Sequence, residues 1–106
     1  MADRVLCFKA GVSLKGMQPE ALTGIDICLD CFHESNLKMT LTSCRDGKHG
    51  RHSHHFKGLA WDIRIWEIAG RIEWMCRKLR DALGPDYQVI NEEDHIHVEF
   101  DPSGDT

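Results

Sequence analysis

At 106 residues the chain can bury one core but is too short for a catalytic unit joined to a substantial second domain, so a single domain over residues 1–106 is expected, working as a monomer. A formal charge of -4 with a hydrophobic fraction of 42% gives no bias toward nucleic acid or lipid, which argues against both as partners. No apolar run has the length of a membrane span, and the start Met1-Ala2-Asp3-Arg4 lacks the apolar region of a secretory signal, so a bare module made in the cytoplasm is expected.

In chain order, Val5-Leu6-Cys7-Phe8 is a short apolar patch followed by Gly11 and Gly16, read as a loose N-terminal arm or an edge element. From Pro19 the apolar positions Ala21, Leu22, Ile25, Cys28, Leu29 and Phe32 recur at helical spacing, and Pro19 suits a first helical turn because its missing donor is not needed there. A helix over about 19–34 follows. Leu37, Met39 and Leu41 alternate with Lys38, Thr40 and Thr42, which is strand periodicity with one buried face. The segment 46–52 is loop by composition. Leu59, Trp61, Ile63 and Ile65 alternate with Ala60, Asp62 and Arg64 in a second strand, so Asp62 points away from the core. Ile65, Ile68, Ala69, Ile72, Met75, Cys76, Leu79 and Leu83 then trace a helical stripe that stops at Gly84-Pro85, predicting a helix over about 66–83. Two strands near 87–91 and 95–100 close the chain across the acidic turn Asn91-Glu92-Glu93-Asp94, with His95, His97 and Glu99 opposite the apolar Ile96, Val98 and Phe100. Residues 101–106 read as a frayed tail. The pattern predicts an α+β domain, a small antiparallel sheet of strands near 37–43, 59–65, 87–91 and 95–100 with two helices on its apolar face.

Five cysteines, an odd number, do not make the disulfide framework of a small secreted domain, and they are expected to be reduced. Cys28 and Cys31 form a Cys-x-x-Cys with no second pair to complete a zinc ribbon, so packing is the favoured account. A mixed site with His49, His52 or His55 stays open. Arg45, Lys48, Arg51 and Lys57 gather in the histidine-containing segment before the second strand, as a solvated loop or a grip on an anionic substrate.

The residues that carry chemistry lie on the polar face of this sheet. Residues 53–62, Ser53-His54-His55-Phe56-Lys57-Gly58-Leu59-Ala60-Trp61-Asp62, fit Ser-x-His-x-x-Gly-x-Ala-x-Asp, and Asp94-His95-Ile96-His97 returns over thirty residues later. Strand parity alone places Asp62 on one strand, and His95 and His97 on another, opposite the core, with His55 in the loop just before. Two ligand-type residues close in sequence and a third far along it are what a hydrolytic zinc site needs, because three protein ligands leave a fourth position for water. Parity does not choose between His97 with Asp94 and His95 with Glu92, since both histidines share a face. His49, His52 and His54 read as polar surface or adventitious metal binders.

The two motifs together resemble the family of zinc D-alanyl-D-alanine carboxypeptidases and L-alanyl-D-glutamate endopeptidases, which cut peptidoglycan stem peptides and include several phage endolysins. The resemblance covers about residues 40–100. It implies a hedgehog/DD-peptidase-like fold and one catalytic Zn2+ held by His55, Asp62 and His97. It also implies Asp94 as general base, His95 as a site histidine that does not bind the metal, and Arg45 as the substrate-binding arginine, with Arg51 as competitor. The expected function is a peptidase on peptidoglycan peptides, held in the host cytoplasm until it is released to the cell wall. A D-Ala-D-Ala carboxypeptidase or dipeptidase and a non-enzymatic zinc-binding module on the same fold are the alternatives.

Overall fold

A computed structural model describes residues 3–45 and 54–102. The elements run β1 (Leu6–Phe8), α1 (Pro19–Glu34), β2 (Met39–Ser43), β3 (Ala60–Arg64), a single 3-10 turn (Trp66–Ile68), α2 (Ile72–Leu83), β4 (Tyr87–Asn91) and β5 (His95–Phe100). The strands form one five-stranded sheet in the order β1-β2-β3-β5-β4. The chain is therefore α+β, with two helices and one sheet. Among the described residues no helix is long and apolar enough to cross a membrane.

The four expected strands pair antiparallel, and β1 adds a parallel edge that makes the sheet mixed. β1 pairs parallel to β2, with Leu6 beside Met39 and Phe8 beside Leu41. Parallel neighbours need a crossover of a dozen residues or more, and α1 with its flanking loops supplies it. The N-terminal arm or edge element is thus an edge strand. A three-residue strand leaves too few alternating positions for its partner to be read from sequence.

The second helix also differs from its expected span. The predicted 66–83 divides into the 3-10 turn and α2, separated by Gly70 with φ +83°. The apolar stripe runs through both pieces, since Ile68 is fully buried beside Met75, Cys76 and Leu79, so periodicity could not report the break. The α1 span agrees with expectation, Pro19 opening it and Ser35 closing it.

The core fills the space between the helices and one face of the sheet. Phe32, Met39, Leu41, Trp61, Ile63, Ile96 and Val98 are fully buried, and Ala21, Cys28 and Cys31 pack with them from α1. Trp61 sets the approach of α1. A Cβ on Gly24 would collide with its indole and with the Tyr87 ring, so the helix lies this close only because residue 24 has no side chain. Tyr87 then stands edge-on to Trp61 and Phe100 and donates its hydroxyl to the Glu20 carbonyl at 2.8 Å. Burial pushes the Cys28 thiol far above its ordinary pKa, so Cys28 stays protonated as a packing group. The five cysteines are unbridged, as expected.

Residues 54–58 form a turn before β3, closed by Gly58 N–H donating to the His55 carbonyl and Leu59 N–H donating to the His54 carbonyl. Gly58 has φ +74°, and its carbonyl accepts from Gln18 N–H at 2.9 Å, fastening the turn to the chain just before α1. A Cβ on Gly58 would run into the Gly16 carbonyl oxygen. Gly58→Ala is expected to destabilise the fold by about 1–3 kcal/mol, the cost of a left-handed non-glycine residue, before any clash is counted. Urea unfolding checks this, and an unchanged midpoint would show that the turn can move away.

Candidate metal centre

The antiparallel pairing of β3 with β5 builds the polar face. Asp62 lies opposite His97, Arg64 opposite His95 and Ala60 opposite Glu99. Opposed residues on one face have Cβ atoms about 5 Å apart, so this register brings Asp62 and His97 together without help from any loop. His55 comes in from the turn. His55 Nε2 lies 3.2 Å from Asp62 Oδ1 and His97 Nδ1 lies 3.0 Å from the same oxygen. The donor atoms of His55, Asp62 and His97 all fall within 4.8 Å of one another. Tetrahedral bonds of about 2.0–2.2 Å separate neighbouring donors by about 3.3 Å, so the two spacings to Asp62 Oδ1 are those of edges in a small divalent ion's coordination shell.

The outer partners of the two histidines strengthen the fit. His55 Nδ1 is 2.8 Å from the Cys44 carbonyl oxygen, which can only accept, so Nδ1 carries the proton. A neutral His55 then turns the lone pair of Nε2 toward a carboxylate oxygen, and two such groups face each other only with a cation or proton between them. On the other side, His97 Nε2 is 2.8 Å from Glu99 Oε1, an arrangement in which Nε2–H donates to the carboxylate and leaves Nδ1 for an ion. Each ligand-type histidine therefore has its far nitrogen occupied and its near nitrogen aimed at the Asp62 oxygen.

The electrostatics favour positive charge between Asp62 and the histidines. Burial alone would raise the Asp62 carboxyl, but hydrogen bonds to His55 and His97 outweigh it and hold the group well below the usual carboxylate range. Burial opposes charge on His97, and its bonds to Asp62 and Glu99 overcome that and raise its pKa, so an ion at Nδ1 would have to displace a proton. Asp62 is thus a carboxylate at neutral pH, as a ligand must be.

Glu99 and His54 were not assigned a role from the sequence. Glu99 is only 6% exposed, its Oε2 lies 3.3 Å from His54 Nδ1, and His54, Glu99 and Asp101 form a second group of ligand-type atoms within 4.8 Å. His54, read from sequence as polar surface or an adventitious metal binder, is partly buried against Glu99 beside the first cluster. The available signal was parity, which already placed Glu99 on the face of His97; nothing in the sequence reported that this end of the face is covered. Ala60, opposite Glu99, is fully buried.

The remaining assignments divide. His95 sits at the margin of the cluster, with Nε2 3.7 Å from Asp62 Oδ1 and Nδ1 2.6 Å from Asp94 Oδ1. The Asp94 side chain is 86% exposed and reaches the cluster through His95. Arg45 is exposed; its Nε donates to the Phe56 carbonyl at 3.0 Å, its guanidinium lies over the Phe56 ring, and its stem lies against Gly16. It braces the turn that carries His55. Its competitor Arg51, with His49 and His52, lies outside the described residues. Cys28 and Cys31 are buried in the α1 packing and belong to neither group of ligand-type atoms.

The chain matches no family model, no curated protein and no solved structure. The resemblance to the zinc peptidases therefore rests on the residues of the two motifs.

Two outcomes are expected. Glu99→Gln, which keeps shape but removes the charge behind His97, should weaken affinity for Co2+ or Zn2+ by about 10–100-fold in a chelator competition. Unchanged affinity would mean that Glu99 does not orient the ligand. Cys31→Ser should leave the metal bound per chain unaltered by elemental analysis, and a drop would bring the Cys-x-x-Cys back as a ligand source.

Proposed function

We propose that this chain is a zinc-dependent peptidase acting on peptidoglycan stem peptides, of the phage endolysin type that cuts L-alanyl-D-glutamate bonds, on a hedgehog/DD-peptidase-like fold. The observation that carries the reading is the convergence of His55 Nε2, His97 Nδ1 and Asp62 Oδ1 on one point, with the far nitrogens taken by the Cys44 carbonyl and Glu99. His55, Asp62 and His97 would hold the ion. Two imidazoles and one carboxylate are the donor set of a hydrolytic zinc with an open position, whose contribution when bound is Lewis acidity toward water and a peptide carbonyl.

The chain's own residues supply the proton handling. Asp94 is the general base by the resemblance, and its 2.6 Å contact with His95 Nδ1 gives it a partner whose other nitrogen faces the cluster. The proton of the attacking water would be taken by the Asp94 carboxylate, which His95 Nδ1–H orients through Oδ1. Returning that proton to the leaving amine completes the exchange. Arg45, bracing the Phe56 turn, keeps its substrate-binding role as part of the proposal.

The direct test is incubation of the zinc-loaded chain with purified sacculi of several cross-link types, followed by mass spectrometry of the released fragments. A new L-alanine carboxyl end supports the endopeptidase, loss of a terminal D-alanine makes it a carboxypeptidase, and intact sacculi with stoichiometric zinc leave a non-enzymatic metal-binding module. Asp94→Ala is expected to retain zinc and lower turnover by about 10²–10⁴-fold, the usual worth of a positioned acid-base group. Full turnover in that variant would remove Asp94 from the chemistry.

A further inference from the structure

Beside the metal cluster, at the end of the sheet where β3 stops and β5 starts, a groove of about 370 Å³ is lined by Lys9, Thr42, Arg64, Trp66, Asp94 and His95. We infer that this groove is an anion subsite that takes a carboxylate of the substrate peptide, an inference that rests on the peptidase reading for the identity of its ligand.

Strand register brings these residues together from four parts of the chain. Arg64 follows Asp62 by two residues on the same face of β3, about 6.6 Å along the strand, and pairs across to His95. Lys9 continues β1 past Phe8, its N–H donating to the Leu41 carbonyl at 2.9 Å, and so lies at the same end of the sheet as Thr42. The groove and the cluster share a wall, because His95 lines the first and reaches within 3.7 Å of Asp62 in the second.

Its charge favours an anion. Lys9 and Arg64 contribute two positive charges, and among the described residues neither is in an ion pair. Asp94 is the acid in the lining, and its Oδ1 is already engaged by His95 Nδ1. Arg64 is also held in place: its guanidinium lies 3.8 Å over the Trp66 ring, which is 73% exposed. A guanidinium stacked flat on an aromatic keeps its edge donors free and fixed in the plane that a carboxylate engages with two parallel hydrogen bonds. The exposed ring beside it offers an apolar wall for the aliphatic part of the same residue.

A stem peptide has two carboxylates that fit this chemistry, the α-carboxylate of its γ-linked D-glutamate and the carboxylate of its C-terminal D-alanine. The probe is the pentapeptide N-acetyl-L-Ala-γ-D-Glu-L-Lys-D-Ala-D-Ala in three forms, with both carboxylates free, with the glutamate α-carboxylate as its amide, and with the C-terminus as its amide. Binding is followed on the metal-free wild-type chain, which cannot turn the peptides over by the proposed zinc chemistry and keeps Asp94 in the groove, through the indole N–H signal of Trp66 and by calorimetry. One amide is expected to bind about 10–100-fold more weakly than the free acid, the worth of a charge-assisted pair, and which one it is names the carboxylate. Arg64→Gln should weaken the free acid by a similar factor while leaving that amide, zinc content and melting temperature unaltered. Lys9→Gln, at an exposed position just past β1, repeats the test should Arg64→Gln fail to fold. Equal binding of all three peptides, or an Arg64 or Lys9 effect that is the same for acid and amide, would overturn the subsite. Discrimination between acid and amide in a chain that leaves sacculi intact would uphold the subsite and sink the peptidase reading, so the two failures are separable.

Discussion

The register of β5 against β3 is the constraint on which the site depends. Pairing Asp62 with His97 puts a carboxylate and an imidazole on the polar face at cross-strand distance, while Ile63 with Ile96 and Trp61 with Val98 face the core. A slip by one residue would send Asp62 or His97 into the core and an apolar residue into the site, so burial of Trp61, Ile63, Ile96 and Val98 fixes the polar face as firmly as the apolar one. The hydrophobic core thereby acts as the jig for the His55-Asp62-His97 cluster, and the sheet can lose little of its packing before the spacing of those donor atoms changes.

The third member of the cluster is held differently. His55 lies in a turn, and its position depends on Gly58 reaching the chain before α1, on the Cys44 carbonyl at the end of β2, and on Arg45 lying over Phe56. These contacts tie the turn to β2 and to the start of α1. Cys44 is fully buried, and its contribution to the site is a backbone acceptor that fixes one proton on one imidazole. Glu99 does the corresponding work for His97 from within β5 itself. The site is then supported on one side by strand parity and on the other by a fastened turn.

Legibility in the sequence followed the range of the interactions. Strand alternation reported which face Asp62, His95, His97 and Glu99 occupy, because period two is a property of the chain alone. The α1 stripe was equally plain, with Pro19 marking its start. The parallel partner of β1 was not, since three residues carry no register, and the break at Gly70 was masked by apolar residues that stay in phase through the 3-10 turn. The contact of His54 with Glu99 was hidden for a related reason: whether a polar loop residue meets solvent or a buried carboxylate depends on what the loop folds onto.

By itself the sequence determined the α+β class, the helical segments and the polar face that carries Asp62, His95 and His97, all through periodicity that survives in an isolated segment, while the choice of His55, Asp62 and His97 as ligands came from the resemblance. Tertiary structure alone decided which nitrogen of each histidine faces Asp62, that Glu99 and His54 stand behind His97, that Asp94 meets the cluster through His95, and that Lys9, Arg64 and Trp66 border one groove. These are contacts between residues far apart in the chain. Their geometry is set by how the strands pair and how the turn is fastened, and no local propensity encodes it.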